Sequence, residues 1–101
     1  MKYRPIFLDS AISDLDCIEE YLSQFYPSTV RNFIDQLEEK VSNLEDMPYM
    51  YPIYEDDPFY RWLEINGYLV FYNVDESRNL VIIHRIIHGK RNISNAILEA
   101  P

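Results

Sequence analysis

The chain has one cysteine, two glycines and two histidines among 101 residues, and nine basic residues against seventeen acidic. Each scarcity excludes something. A lone thiol, Cys17, forms no internal disulfide and no cysteine-rich zinc site. The two glycines, Gly67 and Gly89, supply neither a phosphate-cradling loop nor a dinucleotide fingerprint, and both fit turns. No serine nucleophile elbow is present. The longest uncharged, strongly apolar run, Leu80 to His84, is far too short to cross a bilayer. The opening Met1-Lys2-Tyr3-Arg4-Pro5 lacks the apolar core of a secretory signal. The expectation is a cytoplasmic domain with no membrane attachment, no cofactor and no metal.

What is present supports a folded core. Apolar residues make up 48% and aromatics 15%, well above a disordered composition. A chain of this length is one domain, 1–101, and at that size buries roughly two-thirds of its unfolded surface. The net charge is −8, but it is unevenly spread. Residues 1–57 hold thirteen acids and four bases, whereas residues 58–101 hold four acids and five bases. From Ser77 to Leu98 there is no acid, while Arg78, Arg85, Lys90 and Arg91 all lie there. An anion-facing surface must come from this last third. The plainer reading is a folded dipole that keeps the chain soluble.

Periodicity gives the elements. Tyr3, Ile6, Phe7 and Leu8 read as a short strand, placed at an edge by Pro5. Asp9 and Ser10 suit a helix N-cap. Ile12, Leu15, Ile18, Leu22 and Phe25 follow at helical spacing, with Asp14, Asp16, Glu19 and Glu20 turned outward. Tyr26-Pro27-Ser28 breaks this helix and starts another, whose stripe is Val30, Phe33, Ile34, Leu37, Val41 and Leu44. So short a break implies an antiparallel helical hairpin. The segment from Asp46 to Pro58 is proline-rich yet apolar, and must lie on something or bind something. Three strands follow, the first two joined across Asn66-Gly67, a strong hairpin signal. A short helix is expected around Ile93 to Leu98. The fold class is α+β, in the order β-α-α-β-β-β, with the helical hairpin packed on a small, mainly antiparallel sheet.

A two-residue turn pairs Ile65 with Tyr68, Leu63 with Val70 and Arg61 with Tyr72. Alternation then puts those six on one sheet face, and Tyr60, Trp62, Glu64, Leu69 and Phe71 on the other. Both faces are largely apolar, and the helices cover only one. The second must meet the tail, the proline-rich segment or a partner.

His84 and His88 have metal-ligand spacing for a helix, but four residues along a strand set them roughly 13 Å apart, too far to share an ion. Cys17 sits among Asp16, Glu19 and Glu20, which disfavour a thiolate, and reads as structural. The pairs Glu38-Glu39 and Asp56-Asp57 read as solvated charge. The C-terminal set Arg85, His88, Lys90 and Arg91, with Arg61 from an earlier strand, is the constellation with chemistry in it. A histidine and several guanidiniums at one strand end suit phosphodiester cleavage, as base or acid and as charge stabilisers. Against this stands the reading of surface cations that offset the acidic helices.

The chain resembles toxins of the RelE/ParE superfamily, from type II toxin–antitoxin modules, over roughly residues 3–95. The resemblance is carried by Ala11-Ile12-Ser13-Asp14-Leu15-Asp16-Cys17-Ile18-Glu19-Glu20-Tyr21, and by the second helix ending in Leu44-Glu45-Asp46-Met47-Pro48. It is carried further by Arg61 followed by Gly67-Tyr68-Leu69-Val70-Phe71-Tyr72, and by Val81-Ile82-Ile83-His84-Arg85-Ile86-Ile87-His88-Gly89-Lys90-Arg91-Asn92. It implies a bacterial growth-inhibiting toxin with a cognate antitoxin as partner, associated with plasmid stabilisation. The assembly it implies is a homodimer or a toxin–antitoxin hetero-oligomer.

The superfamily's two best-known activities are ribosome-dependent mRNA cleavage by RelE-type members and inhibition of DNA gyrase by ParE-type members. RelE-like nucleases carry lysines before the hairpin turn, an arginine after the Gly-Tyr and a tyrosine in the tail. Here Tyr60 and Trp62, Leu69 and Ile97 stand in those places. The resemblance therefore favours a ParE-like gyrase inhibitor that is not an enzyme. The alternative is an mRNA endoribonuclease acting with ribosome and mRNA, its catalytic candidates His88, Arg91, Arg85 and Arg61. A third reading is a non-toxic interaction domain of the same fold. Target-binding candidates are Arg85, His88, Lys90 and Arg91. Antitoxin-binding candidates are Tyr49, Tyr51, Tyr54, Trp62 and Phe71.

Overall fold

A proline has no N–H to give a neighbouring strand, and the strand that holds Pro5 is indeed at a sheet edge. The computed structural model describes residues 2–89; the helix expected around Ile93 to Leu98 lies outside them, as do Lys90 and Arg91. The chain runs β1 (Arg4–Phe7), α1 (Asp9–Leu22), α2 (Pro27–Asn43), β2 (Arg61–Ile65), β3 (Tyr68–Asp75) and β4 (Leu80–His88). The sheet order is β1-β4-β3-β2, with β1 parallel to β4 and the other pairs antiparallel. Asn66 and Gly67 both have positive φ, 50° and 89°, the twist a two-residue hairpin turn requires. The β2–β3 register is the one the turn predicts, from Ile65↔Tyr68 to Arg61↔Tyr72.

The helices cover one sheet face. From α2 come Phe33, Leu37 and Val41, spaced four apart, and from the turn after it Leu44. They pack on Leu63, Ile65, Tyr68, Val70 and Tyr72 from the hairpin and on Val81, Ile83 and Ile86 from β4. Each fully buried large side chain contributes about 1.5–3 kcal/mol of transfer free energy. The buried stripe of α1 differs from the expected one. It is Ala11, Leu15, Ile18 and Leu22, whereas Ile12 is 46% and Phe25 55% exposed. The helix ends at Leu22, so Phe25 leaves its period, and Ile12 is turned about 100° from Ala11. The small Ala11 lets α1 approach β4 closely.

Nor do Asp9 and Ser10 cap the helix. Leu8 is the N-cap residue, with no side-chain cap bond, and its N–H goes to the Ile83 carbonyl at 3.0 Å. Ser10 instead donates its Oγ hydrogen to the His84 carbonyl at 2.7 Å. β1 stops opposite Ile83, and α1 takes over the unpaired edge of β4 beyond it.

One irregularity shapes the sheet. Phe71 pairs with Arg85, but Tyr72 pairs with Ile83, so His84 is an extra residue bulged out of β4. His88 stands on the helix-facing side, across from Tyr68. His84 turns to the other side, where its Nε2 meets the Asn73 side-chain oxygen at 2.6 Å. Among the described residues no helix is long and apolar enough to cross a membrane.

Candidate functional site

The proline-rich segment 46–60 is stitched to the sheet by its own backbone. Tyr72 donates its buried hydroxyl to the Pro48 carbonyl at 3.0 Å. Burial pushes that hydroxyl up to about 12, although nearby Arg61 opposes the shift. Arg61 donates one guanidinium N–H to the Tyr51 carbonyl at 2.7 Å and a longer one to the Tyr49 carbonyl at 3.4 Å, and lies over the Tyr49 ring. The Tyr49 hydroxyl donates to the Glu76 carboxylate, which raises its pKa to about 12. Ile53 bridges to Arg61, and the Trp62 N–H reaches the Pro52 carbonyl at 3.1 Å. The segment thus runs along the outer edge of β2 and then folds onto the second sheet face.

That face carries its own small core. Phe71 and Ile87 are buried, and Tyr54, Tyr60, Trp62 and Leu69 pack against them. The Tyr54 ring stands edge-on to Phe71 at 5.1 Å, and Tyr60 edge-on to His84 at 5.1 Å. Burial lowers the pKa of His84 and raises that of Tyr60, the latter also through the charge of Asp57. Beyond this cluster no described residue covers the face. A groove of about 330 Å³ has Trp62, Leu69, Pro52 and Ile53 as its apolar surface and Glu55 and Asp56 at its lip.

The antitoxin candidates therefore separate. Phe71 is closed over by the chain's own tyrosines, and Tyr51 packs against the main core. Tyr49 is 45% exposed, and Tyr54 and Trp62 line the open groove. Met47, Met50 and Phe59 add exposed apolar surface on the same segment.

The cationic constellation separates as well. Arg85 is a neighbour of α1: its Nε and Nη2 donate to the two Asp14 oxygens at 2.7 and 2.9 Å, and the Asp14 carboxylate also accepts the Ile86 N–H at 2.9 Å. The two side chains are only 12% and 14% exposed. Its helical position reads as that of an outward acid, yet Asp14 holds the edge of β4. Arg61 does not approach His88. It pairs with Tyr72, whereas His88 pairs with Tyr68, four residues or roughly 13 Å further along the hairpin, and β3 lies between the two strands. Lys90 and Arg91 lie outside the described residues.

His88 itself stands at the hairpin end of the sheet. Its ring meets Tyr68 edge-on at 5.1 Å, and the two line a cavity of about 220 Å³ with Asp14, Cys17 and Tyr21. Burial raises the Tyr68 hydroxyl pKa, helped by Tyr21. Gly89 closes this end, its N–H on the Gly67 carbonyl at 2.8 Å; an added Cβ would approach that oxygen at 3.2 Å. Among the described residues no group of three or more histidines, cysteines or carboxylates could hold a metal ion.

The family described as "ParE toxin of type II toxin-antitoxin system, parDE" matches residues 6–93. The chain belongs to the ParE toxin family of type II toxin–antitoxin systems. No curated protein sequence matches this ParE-family chain. Among solved structures, it is similar to the toxin–antitoxin complex RelBE2 of Mycobacterium tuberculosis, with 19% identity over 87% of this chain and 99% of that one and a TM-score of 0.62. A double-arginine mutant of the E. coli RelE toxin in the free state gives a TM-score of 0.68 with 13% identity, covering 95% of this chain and 93% of that one. The isolated E. coli RelE toxin gives 0.64 with 16% identity, covering 95% and 96%. At such identities the likeness establishes the fold. Within that fold, Tyr60, Trp62 and Leu69 come together around Phe71 and Ile87.

Proposed function

We propose that the chain is the toxin of a type II pair, acts in the cytoplasm as a non-nuclease inhibitor of DNA gyrase, and is neutralised by a cognate antitoxin in a hetero-oligomer. One observation carries the choice between the two activities. The positions at which RelE-like nucleases place two lysines and an arginine hold Tyr60, Trp62 and Leu69, and these share one apolar cluster. A cleavage site needs fixed positive charge where the phosphodiester transition state develops. Here that surface is aromatic, with carboxylates of Glu55 and Asp56 at its margin. Polyanionic RNA is repelled by such a face.

The ion pair of Arg85 supports the same reading, since its guanidinium is committed to Asp14. The partner assignment is supported by family membership and by the similar RelBE2 structure, which is described as a toxin–antitoxin complex. The nuclease reading keeps one observation in its favour, His88 in a cavity lined by Tyr21 and Tyr68. The test is purified protein incubated with programmed ribosomes. The mRNA stays intact while induction of the same chain arrests growth. Cleavage that His88→Ala abolishes would establish the nuclease instead.

A further inference from the structure

The groove beside Trp62 combines features that together specify a ligand. Its floor and wall are apolar, from Trp62, Leu69, Pro52 and Ile53, and its lip is acidic, from Glu55 and Asp56. Glu64 is exposed on the same sheet face, since it alternates with Leu63 and pairs with Leu69. Among the described residues no lysine or arginine forms an ion pair with these three carboxylates; the pairs there are Arg78–Asp75 and Arg85–Asp14. Among the described residues, Lys40 and Arg61 are the cations on β2's outer side, and both are engaged otherwise. Lys40 donates to the Glu64 backbone carbonyl at 2.7 Å, and Arg61 to the carbonyls of Tyr49 and Tyr51. An anionic ligand would be repelled here. A segment with an apolar anchor and flanking cations would bury the anchor on Trp62 and Leu69 and meet carboxylates at the rim.

The edges of the sheet direct that segment to the face. On the outer side of β2, the Trp62 N–H is taken by Pro52 and the Glu64 carbonyl by Lys40. On β1, Pro5 has no N–H to offer. Neither edge presents an uninterrupted ladder for an added strand.

We propose that this groove takes an apolar segment flanked by lysine or arginine, belonging to the neutralising partner, which docks on the sheet face without extending the sheet. The proposal rests on the reading of the chain as the toxin of a pair. It sets the polarity of that partner: against a toxin of net charge −8, the neutralising segment is basic.

Trp62 is the chain's single tryptophan, so its emission reports on the groove in the full chain. The probes are the peptide acetyl-Lys-Arg-Leu-Ile-Arg-Lys-amide and its counterpart with every basic residue replaced by glutamate. The basic peptide shifts the Trp62 emission saturably at low salt, the shift weakens as salt rises, and the acidic peptide has no effect. Glu55→Lys with Asp56→Lys weakens the basic peptide about tenfold, a few rim pairs lost or reversed. Glu55→Gln with Asp56→Asn gives a smaller loss, and Glu19→Lys with Glu20→Lys, equal in charge but on α1, gives little. Circular dichroism confirms that each variant is folded. No response to the basic peptide, equal response to both peptides, or equal loss from the α1 variant overturns the proposal. Growth arrest on induction is scored separately. Arrest without peptide binding retains the toxin reading and removes this groove; binding without arrest removes the toxin reading.

Discussion

The carboxylate of Asp14 receives three N–H donors from β4: two from the Arg85 guanidinium, at 2.7 and 2.9 Å, and the backbone N–H of Ile86 at 2.9 Å. Together with Ser10 on the His84 carbonyl, one turn of α1 substitutes for the β1 strand that ends opposite Ile83. Asp14→Ala strips the Ile86 N–H and the guanidinium of their acceptor at once. The expected loss is about 2–3 kcal/mol, since both side chains are largely buried. Arg85→Ala should cost less, because Asp14 keeps Ile86. Chemical denaturation of the two single mutants and the double mutant measures the coupling; additive losses would contradict the pairing.

Toxicity then separates from stability. Arg85→Ala should lower growth inhibition only as far as it lowers the amount of folded protein. Arg91→Ala should reduce inhibition with the melting temperature unchanged, if the acid-free stretch after Ser77 meets the target. Changing the helix acids Glu19, Glu38 and Glu39 should leave inhibition nearly intact. Plate growth and thermal unfolding of the same variants decide this. Full potency in a folded Arg91→Ala would remove that residue from the site.

His84 should make stability fall on acidification. Its ring is half-buried beneath Phe59 and Tyr60 with Nε2 on Asn73, and burial holds its pKa below the ordinary 6.5. The unfolded chain therefore binds the proton first. Stability is unaffected well above 6.5 and declines as pH falls below it, until the folded pKa is passed. Denaturation midpoints between neutral and mildly acid pH, for the native chain and His84→Asn, give the test. The difference between the two curves should carry this slope; parallel curves would contradict it.

Tyr72→Phe removes the donor to the Pro48 carbonyl and should cost about 1–2 kcal/mol, because both groups are buried. It should also loosen segment 46–60, seen as faster amide exchange around Met50 and Tyr51. Arg61→Lys should act on the same segment, since a single ammonium does not reproduce both carbonyl contacts and the stacking on Tyr49. Unchanged exchange in both variants would contradict the anchoring.

Much of this was legible in the sequence, and the parts that were not have definite causes. The α2 stripe and the Asn66-Gly67 hairpin depend on contacts near in sequence, and their periods and register read directly. The bulge at His84 carries no local signal; it emerges from how β4 fits β1 and β3 together. Asp14 and Arg85 lie 71 residues apart, so an acid that looks solvated in its helix has a sheet partner that only topology reveals. The separation of Arg61 from His88 has the same cause: the chain enters β2 at the opposite end of the sheet from His88. The two apolar faces of the sheet follow from strand alternation, but the closing of Tyr54 and Tyr60 over Phe71 depends on the path of a proline-rich segment with no period to read.

The proposal that this ParE-family chain stops growth through gyrase can be tested on the enzyme itself. The most direct measurement is ATP-dependent supercoiling of relaxed plasmid by purified gyrase with increasing amounts of the purified chain. The expected result is dose-dependent loss of supercoiling, restored by the antitoxin. Supercoiling that continues unchanged at concentrations of a chain shown to be toxic in cells would contradict it.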